Sequence, residues 1–159
     1  MEVSKKVVFI KDWILNYVNS MPVKAQSLVI GISGGIDSSV TSTLCAMTGL
    51  KTIVLTMPIK QNKEQNDLSL LHNKWLSDKF NNVESHSLEL DNVFKNFENT
   101  LSNFKSEHGM ANSRSRLRMT TLYQVATANN GIVVGTGNKV EDFGVGFYTK
   151  YGDGGVDIS

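Results

Sequence analysis

The stretch Ser27-Leu28-Val29-Ile30-Gly31-Ile32, followed directly by Ser33-Gly34-Gly35-Ile36-Asp37-Ser38-Ser39, decides how the rest of the chain is read. The first part is an apolar run that reads as a buried strand. The Ser-Gly-Gly turn ends it, and Val40 to Thr48 has the make-up of a helix. A strand, a glycine turn and a helix start in that order make a phosphate site. Gly34 and Gly35 carry no Cβ and accept positive φ, so the backbone can approach an anion closely, and the N–H groups of a first helical turn point at it. Ser33, Ser38 and Ser39 add hydroxyl donors. Asp37 repels a polyphosphate by about 1 kcal/mol per pair of unit charges in water, and by several times that near a protein surface. A bridging Mg²⁺ removes the conflict. No lysine follows the glycines, as a G-x-x-x-x-G-K-[ST] loop would require. The loop therefore suits a pyrophosphate that leaves, with positive charge supplied from elsewhere. The alternative is an ordinary strand-to-helix turn whose glycines and serines merely cap a helix, and the concentration of hydroxyls, glycines and a carboxylate in one turn weighs against it.

Outward from this loop, strand and helix patterns alternate. Residues 3 to 19 place Val3, Val7, Ile10, Trp13, Ile14, Tyr17 and Val18 at helical spacing, as expected of a covering helix. Thr52 to Met57 is a second apolar strand, reached through Thr48-Gly49 as a helix C-cap. A polar bridge, 60 to 66, leads to a helix carrying Leu68, Leu71, Trp75, Leu76 and Phe80, and Val83 to Leu88 is a shorter third strand. Asp91 is the expected N-cap of a fourth helix, Lys105 to Gly109 is a break, 112 to 129 is a fifth helix, and Gly131 to Thr136 is a fourth strand. This order predicts an α/β fold with a doubly wound, mostly parallel sheet, helices on both faces, and a ligand at the carboxyl ends of the strands.

The 159 residues correspond to one nucleotide-binding domain with a core of its own. Sixteen basic and 15 acidic residues leave a net charge of +1, which gives no field to recruit nucleic acid or a membrane. No apolar run approaches 18 residues and no signal-peptide pattern opens the chain, so a cytoplasmic location is expected. The one cysteine, Cys45, excludes an internal disulfide, and its apolar surroundings read as packing. His72, His86 and His108 show no metal-ligand spacing and read as surface or packing residues.

Two further stretches carry chemistry. Arg114, Arg116 and Arg118 alternate near the start of the fifth helix pattern, so they do not share one face and only part of the set can converge on an anion. Cations in a first helical turn oppose the helix dipole unless an anion is present, which points to a phosphate partner over a solvated charge run. After the fourth strand come Gly135-Thr136-Gly137-Asn138-Lys139-Val140-Glu141-Asp142 and a glycine-rich tail, residues 144–159, in which Phe147, Tyr148 and Tyr151 flank Lys150. That is the composition of a lid ordered by ligand.

The Ser-Gly-Gly-Ile-Asp-Ser loop resembles that of the N-type ATP pyrophosphatases, which cleave ATP to AMP and pyrophosphate. The tail Phe-Tyr-Thr-Lys-Tyr-Gly-Asp-Gly-Gly, ending in aspartate, narrows the resemblance to the ammonia-dependent NAD synthetases. The resemblance implies a ligase that adenylates nicotinic acid adenine dinucleotide (deamido-NAD) with ATP and amidates it with ammonia to NAD. It also implies a homodimer at full length. By position, Gly31, Ile32, Ser33, Gly34, Gly35, Ile36, Asp37 and Ser38 would bind ATP together with Thr136. Asp37 and Glu141 would hold Mg²⁺, Arg116, Lys150 and Asp157 would bind deamido-NAD, and Asp37 and Lys150 would carry the catalysis. Where many members have Gly-Thr-Asp-His-Ala-Ala-Glu this chain has Gly-Thr-Gly-Asn-Lys-Val-Glu, which leaves Asp142 as an alternative metal ligand. The family's later lysine, threonine and His-Lys pair have no counterpart in this sequence, which suggests the N-terminal portion of a longer enzyme. Two rival readings stay open: another adenylating ATP pyrophosphatase, of the GMP synthetase or tRNA-modifying kind, and an ATP-binding module without turnover.

Overall fold

A computed structural model describes residues 2–60, 63–146 and 148–159. The strands are β1 (Ser27–Gly31), β2 (Lys51–Thr56), β3 (Val83–Ser87) and β4 (Gly131–Val133), and the helices are α1 (Val3–Ser20), α2 (Ile36–Ala46), α3 (Lys63–Lys79), α4 (Asp91–Thr100) and α5 (Glu107–Ala128). All pairings are parallel, in the order β3-β2-β1-β4. The chain reverses its direction of travel across the sheet at β1, which puts the ligand crevice of a doubly wound fold between β1 and β4.

Each face of the sheet buries its own apolar layer. On one, Leu28, Ile30 and Val54 pack with Ile14 and Val18 of α1, Cys45 of α2 and Leu76 of α3. On the other, Val29, Ile53, Leu55 and Val133 pack with Phe94 of α4 and with Met119, Leu122 and Ala126 of α5. The central strands are apolar on both sides because helices cover both. β3 is the exception: an edge strand with exposed side chains, where Lys51 pairs with Glu84 at 2.9 Å. Cys45 is buried, and desolvation pushes its thiol up to about 12, which makes it an inert core residue.

Several boundaries differ from the sequence expectation. α2 begins at Ile36, inside the predicted loop, because Gly35 already occupies the N-cap position. α3 starts at Lys63, within the polar bridge, and Gln61 and Asn62 of that bridge lie outside the described residues. The N-terminal turns of α1 run off the sheet, leaving Val3 75% exposed. Asp91 does not cap α4: Leu90 holds the N-cap position, and the Asp91 carboxylate instead accepts the backbone N–H of Lys60 at 2.7 Å. α5 begins five residues earlier than the pattern suggested, capped by Ser106, whose side chain accepts from the N–H of Gly109. The arginines therefore stand beyond the first turn, and the dipole argument for an anion beside them falls.

β4 ends at Val133, and the tail then returns to it. Asp157 N–H donates to the carbonyl of Val133 at 3.1 Å, Gly135 N–H donates to that of Ile158 at 2.7 Å, and Val134 bridges Ile158 in parallel. Ile158 is buried in the core of the α1–α3 face. Nothing in the glycine-rich composition signalled this short fifth strand position.

Candidate nucleotide-binding site

A cavity of about 510 Å³ opens at the carboxyl ends of β1, β2 and β4, within the size range of small-molecule sites. Its floor comes from strand ends: Gly31 and Ile32 after β1, Met57 after β2, and Val134, Gly135 and Thr136 after β4. Ser33 and Gly35 form the phosphate-loop wall, Gln65 comes from α3, and α5 contributes Ser115, Arg118, Met119 and Leu122.

Geometry in the loop makes glycine obligatory at Gly34. Its φ is +87°, and a Cβ there would collide with the carbonyl oxygen of Gln65. That close approach docks the N-terminal turns of α3 against the loop. Gly35 has an extended N-cap conformation with no side-chain cap, so the first-turn N–H groups of α2 have no intrahelical acceptor and face the loop. The serines divide their work. Ser38 is buried, accepts the Ser33 N–H at 3.3 Å and donates to the Gly35 carbonyl at 3.0 Å, and Ser39 donates to the same carbonyl at 2.9 Å. In the ligand-free loop both hydroxyls thus bond to the Gly35 carbonyl and shape the turn.

Asp37 sits in the first turn of α2, and its carboxylate accepts from the side-chain amide of Asn138 at 3.4 Å. The Asn138 carbonyl oxygen in turn accepts the N–H groups of Val140 and Glu141 at 3.1 and 3.0 Å, opening a π-helical turn over Val140–Val145. Asn138 thereby joins Asp37 to the segment carrying Glu141. Asp142 lies against the Gly137 backbone, and burial, then Asp153 and Glu141, push its carboxyl above the usual range. Among the described residues no group of three or more His, Cys, Asp and Glu side chains is placed to hold a metal ion.

The remaining sequence candidates lie around this cavity without lining it. Arg116 is exposed, and its Nε donates to the carbonyl of Lys150 at 3.0 Å, while the Lys150 ammonium stands 5.0 Å from the Tyr151 ring centroid. Both Asp157 oxygens are engaged, one by the Val133 N–H at 2.7 Å and the other by the Tyr123 hydroxyl at 3.2 Å. Phe147, part of the aromatic set of the tail, lies outside the described residues. The turn beyond it is pinned to α5: one Asp153 oxygen accepts both the Ser115 hydroxyl at 2.8 Å and the Thr149 N–H at 2.9 Å. Gln65, Met57 and Asp153 are cavity residues that sequence reasoning did not single out. Arg118, one of the three alternating arginines read toward an anion, also lines it.

A parallel doubly wound sheet with a glycine-serine phosphate loop at its switch point defines an α/β nucleotide-binding domain. The sequence pattern of the NAD synthase family matches residues 6–159, and the chain belongs to that family. It is 36% identical over 154 residues to an NH(3)-dependent NAD(+) synthetase of Mesoplasma florum, covering 92% of this chain and 60% of that protein. A protein of the same description from Finegoldia magna is 37% identical over 160 residues, with 99% and 63% covered. Among solved structures, the NH3-dependent NAD synthetase of Campylobacter jejuni superposes with a TM-score of 0.87 at 30% identity, covering 99% of this chain and 66% of that one. The NMN synthetase of Francisella tularensis superposes with a TM-score of 0.80 at 35% identity, with 98% and 60% covered. The chain thus spans about 60% of the length of these relatives.

Proposed function

We propose that this chain carries the ATP-binding and adenylation centre of an ammonia-dependent NAD synthetase. The observation that supports the reading most directly is the cavity lined by Ser33, Gly35 and Thr136, in a chain of this family. In the reaction, a carboxylate oxygen of deamido-NAD attacks the α-phosphorus of ATP, the bond to the β-phosphate oxygen breaks, and pyrophosphate leaves. Ammonia then attacks the acyl carbon, loses a proton, and displaces AMP to give the amide NAD. The chain supplies no nucleophile. It orients the nucleotide with the loop backbone and the α2 N-terminus, and places Arg116, Lys150 and Asp157 for the dinucleotide, so catalysis is positional and electrostatic.

Asp37 and Glu141 offer hard carboxylate oxygens on two segments that Asn138 ties together, which fits a Mg²⁺ held by one or two carboxylates and substrate phosphates. When bound, the ion would neutralise charge on the departing pyrophosphate. Of the tail expected to be lid-like, the end is part of the sheet, with Asp157 and Ile158 fastened to β4. In this reading only the turn over residues 148–155 would cover the site. Further parts of the reading are a homodimer at full length, a cytoplasmic location, and neither nucleic acid nor membrane as partner. Among the described residues no helix is long and apolar enough to cross a membrane.

The test is exchange of labelled pyrophosphate into ATP, with Mg²⁺ present. Exchange that requires deamido-NAD supports adenylation of that carboxylate. ATP binding without exchange supports the rival reading, a nucleotide-binding module without turnover. A second substrate reading is favoured by the 35% identity to the Francisella tularensis NMN synthetase: exchange driven by nicotinic acid mononucleotide, with deamido-NAD inactive, would transfer the assignment to that substrate.

A further inference from the structure

The phosphate loop has no lysine, yet a nucleoside triphosphate brings several negative charges to it. Among the described residues two cationic side chains line the cavity, Lys60 and Arg118. The Lys60 ammonium is already neutralised, 2.6 Å from a Glu98 carboxylate oxygen and 5.8 Å from the centroid of the Phe94 ring. Arg118 differs. Its Nε donates to the carbonyl of Met57 at 3.0 Å, and among the described residues no carboxylate forms an ion pair with it.

Tethering through Nε fixes the guanidinium against the end of β2 and leaves four N–H donors on its two terminal nitrogens. A half-buried cation with no carboxylate at ion-pair distance, and only the more distant Asp91 to offset its charge, is costly to keep desolvated, and an anion in the cavity lowers that cost. Arg114 is close enough to add to the burden: burial first, then Arg114, lower the Arg118 pKa, with Asp91 opposing. Arg114 itself is placed otherwise, 5.7 Å from the Phe94 ring centroid, and Arg116 is turned to the tail. Of the three alternating arginines, one reaches the cavity.

We propose that Arg118 is the anion-binding cation of this site, contacting a phosphate group of the bound nucleotide and supplying the charge that the lysine-free loop lacks. The proposal rests on the nucleotide reading above. A planar guanidinium held on one edge presents its other edge for paired hydrogen bonds to phosphate oxygens, which an ammonium cannot reproduce.

Calorimetric titration of ATP, inorganic pyrophosphate and adenosine into the wild-type chain, Arg118→Gln and Arg118→Lys tests this. For Arg118→Gln the expected result is a loss of about 10- to 100-fold in ATP affinity and a comparable loss for pyrophosphate, with adenosine unchanged. Arg118→Lys recovers part of it, and the salt dependence of ATP binding becomes shallower in the glutamine variant. Equal losses for ATP and adenosine would mean that Arg118 only shapes the cavity through Met57, and would overturn the proposal. So would unchanged ATP affinity. A wild-type chain that binds no ATP would sink the nucleotide reading itself, a distinct outcome. If Arg118→Gln does not fold, Arg118→Lys decides: it keeps the charge but not the fork, so full ATP affinity there rejects the paired contact.

Discussion

The side-chain amide of Asn138 reaches the carboxylate of Asp37 across 101 positions of sequence, at 3.4 Å, and its carbonyl oxygen holds the Glu141 N–H at 3.0 Å. One side chain thus sets the spacing between the two segments proposed to share a metal ion. Asn138→Ala removes these bonds, each contributing about 0.5 to 1.5 kcal/mol. The expected result is a several-fold rise in the Mg²⁺ concentration needed for half-maximal ATP binding, with metal-free binding unchanged. Titrating Mg²⁺ at fixed ATP measures it, and an unaltered midpoint removes Asn138 from the metal argument. Asp37→Asn should show the larger effect of the two. Gly35 holds the N-cap position, so any helix role of Asp37 is that of a first-turn charge. Equal losses with and without Mg²⁺ would point to that role instead of metal ligation.

Gly34 and Gly35 look equivalent in sequence and are not equivalent in the fold. Gly34 has φ of +87° and no room for a Cβ beside the Gln65 carbonyl, whereas a Cβ at Gly35 meets only the Ser33 hydroxyl oxygen, at 3.3 Å. Gly34→Ala should therefore cost about 1 to 3 kcal/mol of stability and most of the ATP affinity, while Gly35→Ala is mild in both. Urea unfolding alongside ATP titration separates the two, and equal effects would contradict the loop geometry.

That pair also shows where the sequence was legible and where it stopped. The alternation of apolar β-branched runs with helical patterns was enough for a parallel doubly wound sheet, because strands covered on both faces must be apolar throughout. The phosphate loop was legible because its residue types are costly to assemble for any other purpose. Helix starts were less so: Ile36, Lys63 and Glu107 begin helices inside stretches that read as polar loops, since tertiary packing and the Ser106 cap override weak local preference. Which arginine enters the cavity depends on the rotation of α5 against the sheet, a quantity no local pattern encodes. The role of Asp157 within the fold was equally hidden, because its partner, the Val133 N–H, becomes available only where β4 ends and the tail returns.

His72 of α3 lies 2.9 Å from the hydroxyl of the buried Ser42 in α2 and stacks on Trp75. Burial lowers its pKa below the ordinary value of 6.5. The neutral ring is thus the form the fold prefers, so stability is complete above the unfolded-state pKa. It declines as pH falls below about 6.5 toward the lower folded-state value, where the unfolded chain takes up the proton first. His72→Gln should flatten that part of the stability profile between pH 7 and 5. Urea unfolding at several pH values reads the slope, and parallel profiles for the two chains would assign the acid sensitivity to other groups.

Asp157 receives the Val133 N–H at 2.7 Å and the Tyr123 hydroxyl at 3.2 Å, so its carboxylate fastens the end of the tail to both β4 and α5. Removing it leaves the Val133 N–H, on a fully buried strand residue, without that acceptor, and an orphaned buried donor costs about 1 to 3 kcal/mol. Asp157→Ala should lose stability in that range and speed hydrogen exchange at the amides of Val133 and Ile158 without any ligand present. Asp157→Asn, which keeps an acceptor oxygen, should lose less. Tyr123 reports independently: burial first and then Asp157 raise its pKa, so in Asp157→Ala the phenol should titrate nearer its ordinary value. A variant with normal stability, normal exchange and a weakened grip on deamido-NAD would show that the carboxylate serves the substrate alone. Losses in exchange protection and in dinucleotide binding together would mean that the fold places a binding residue by making it part of the sheet.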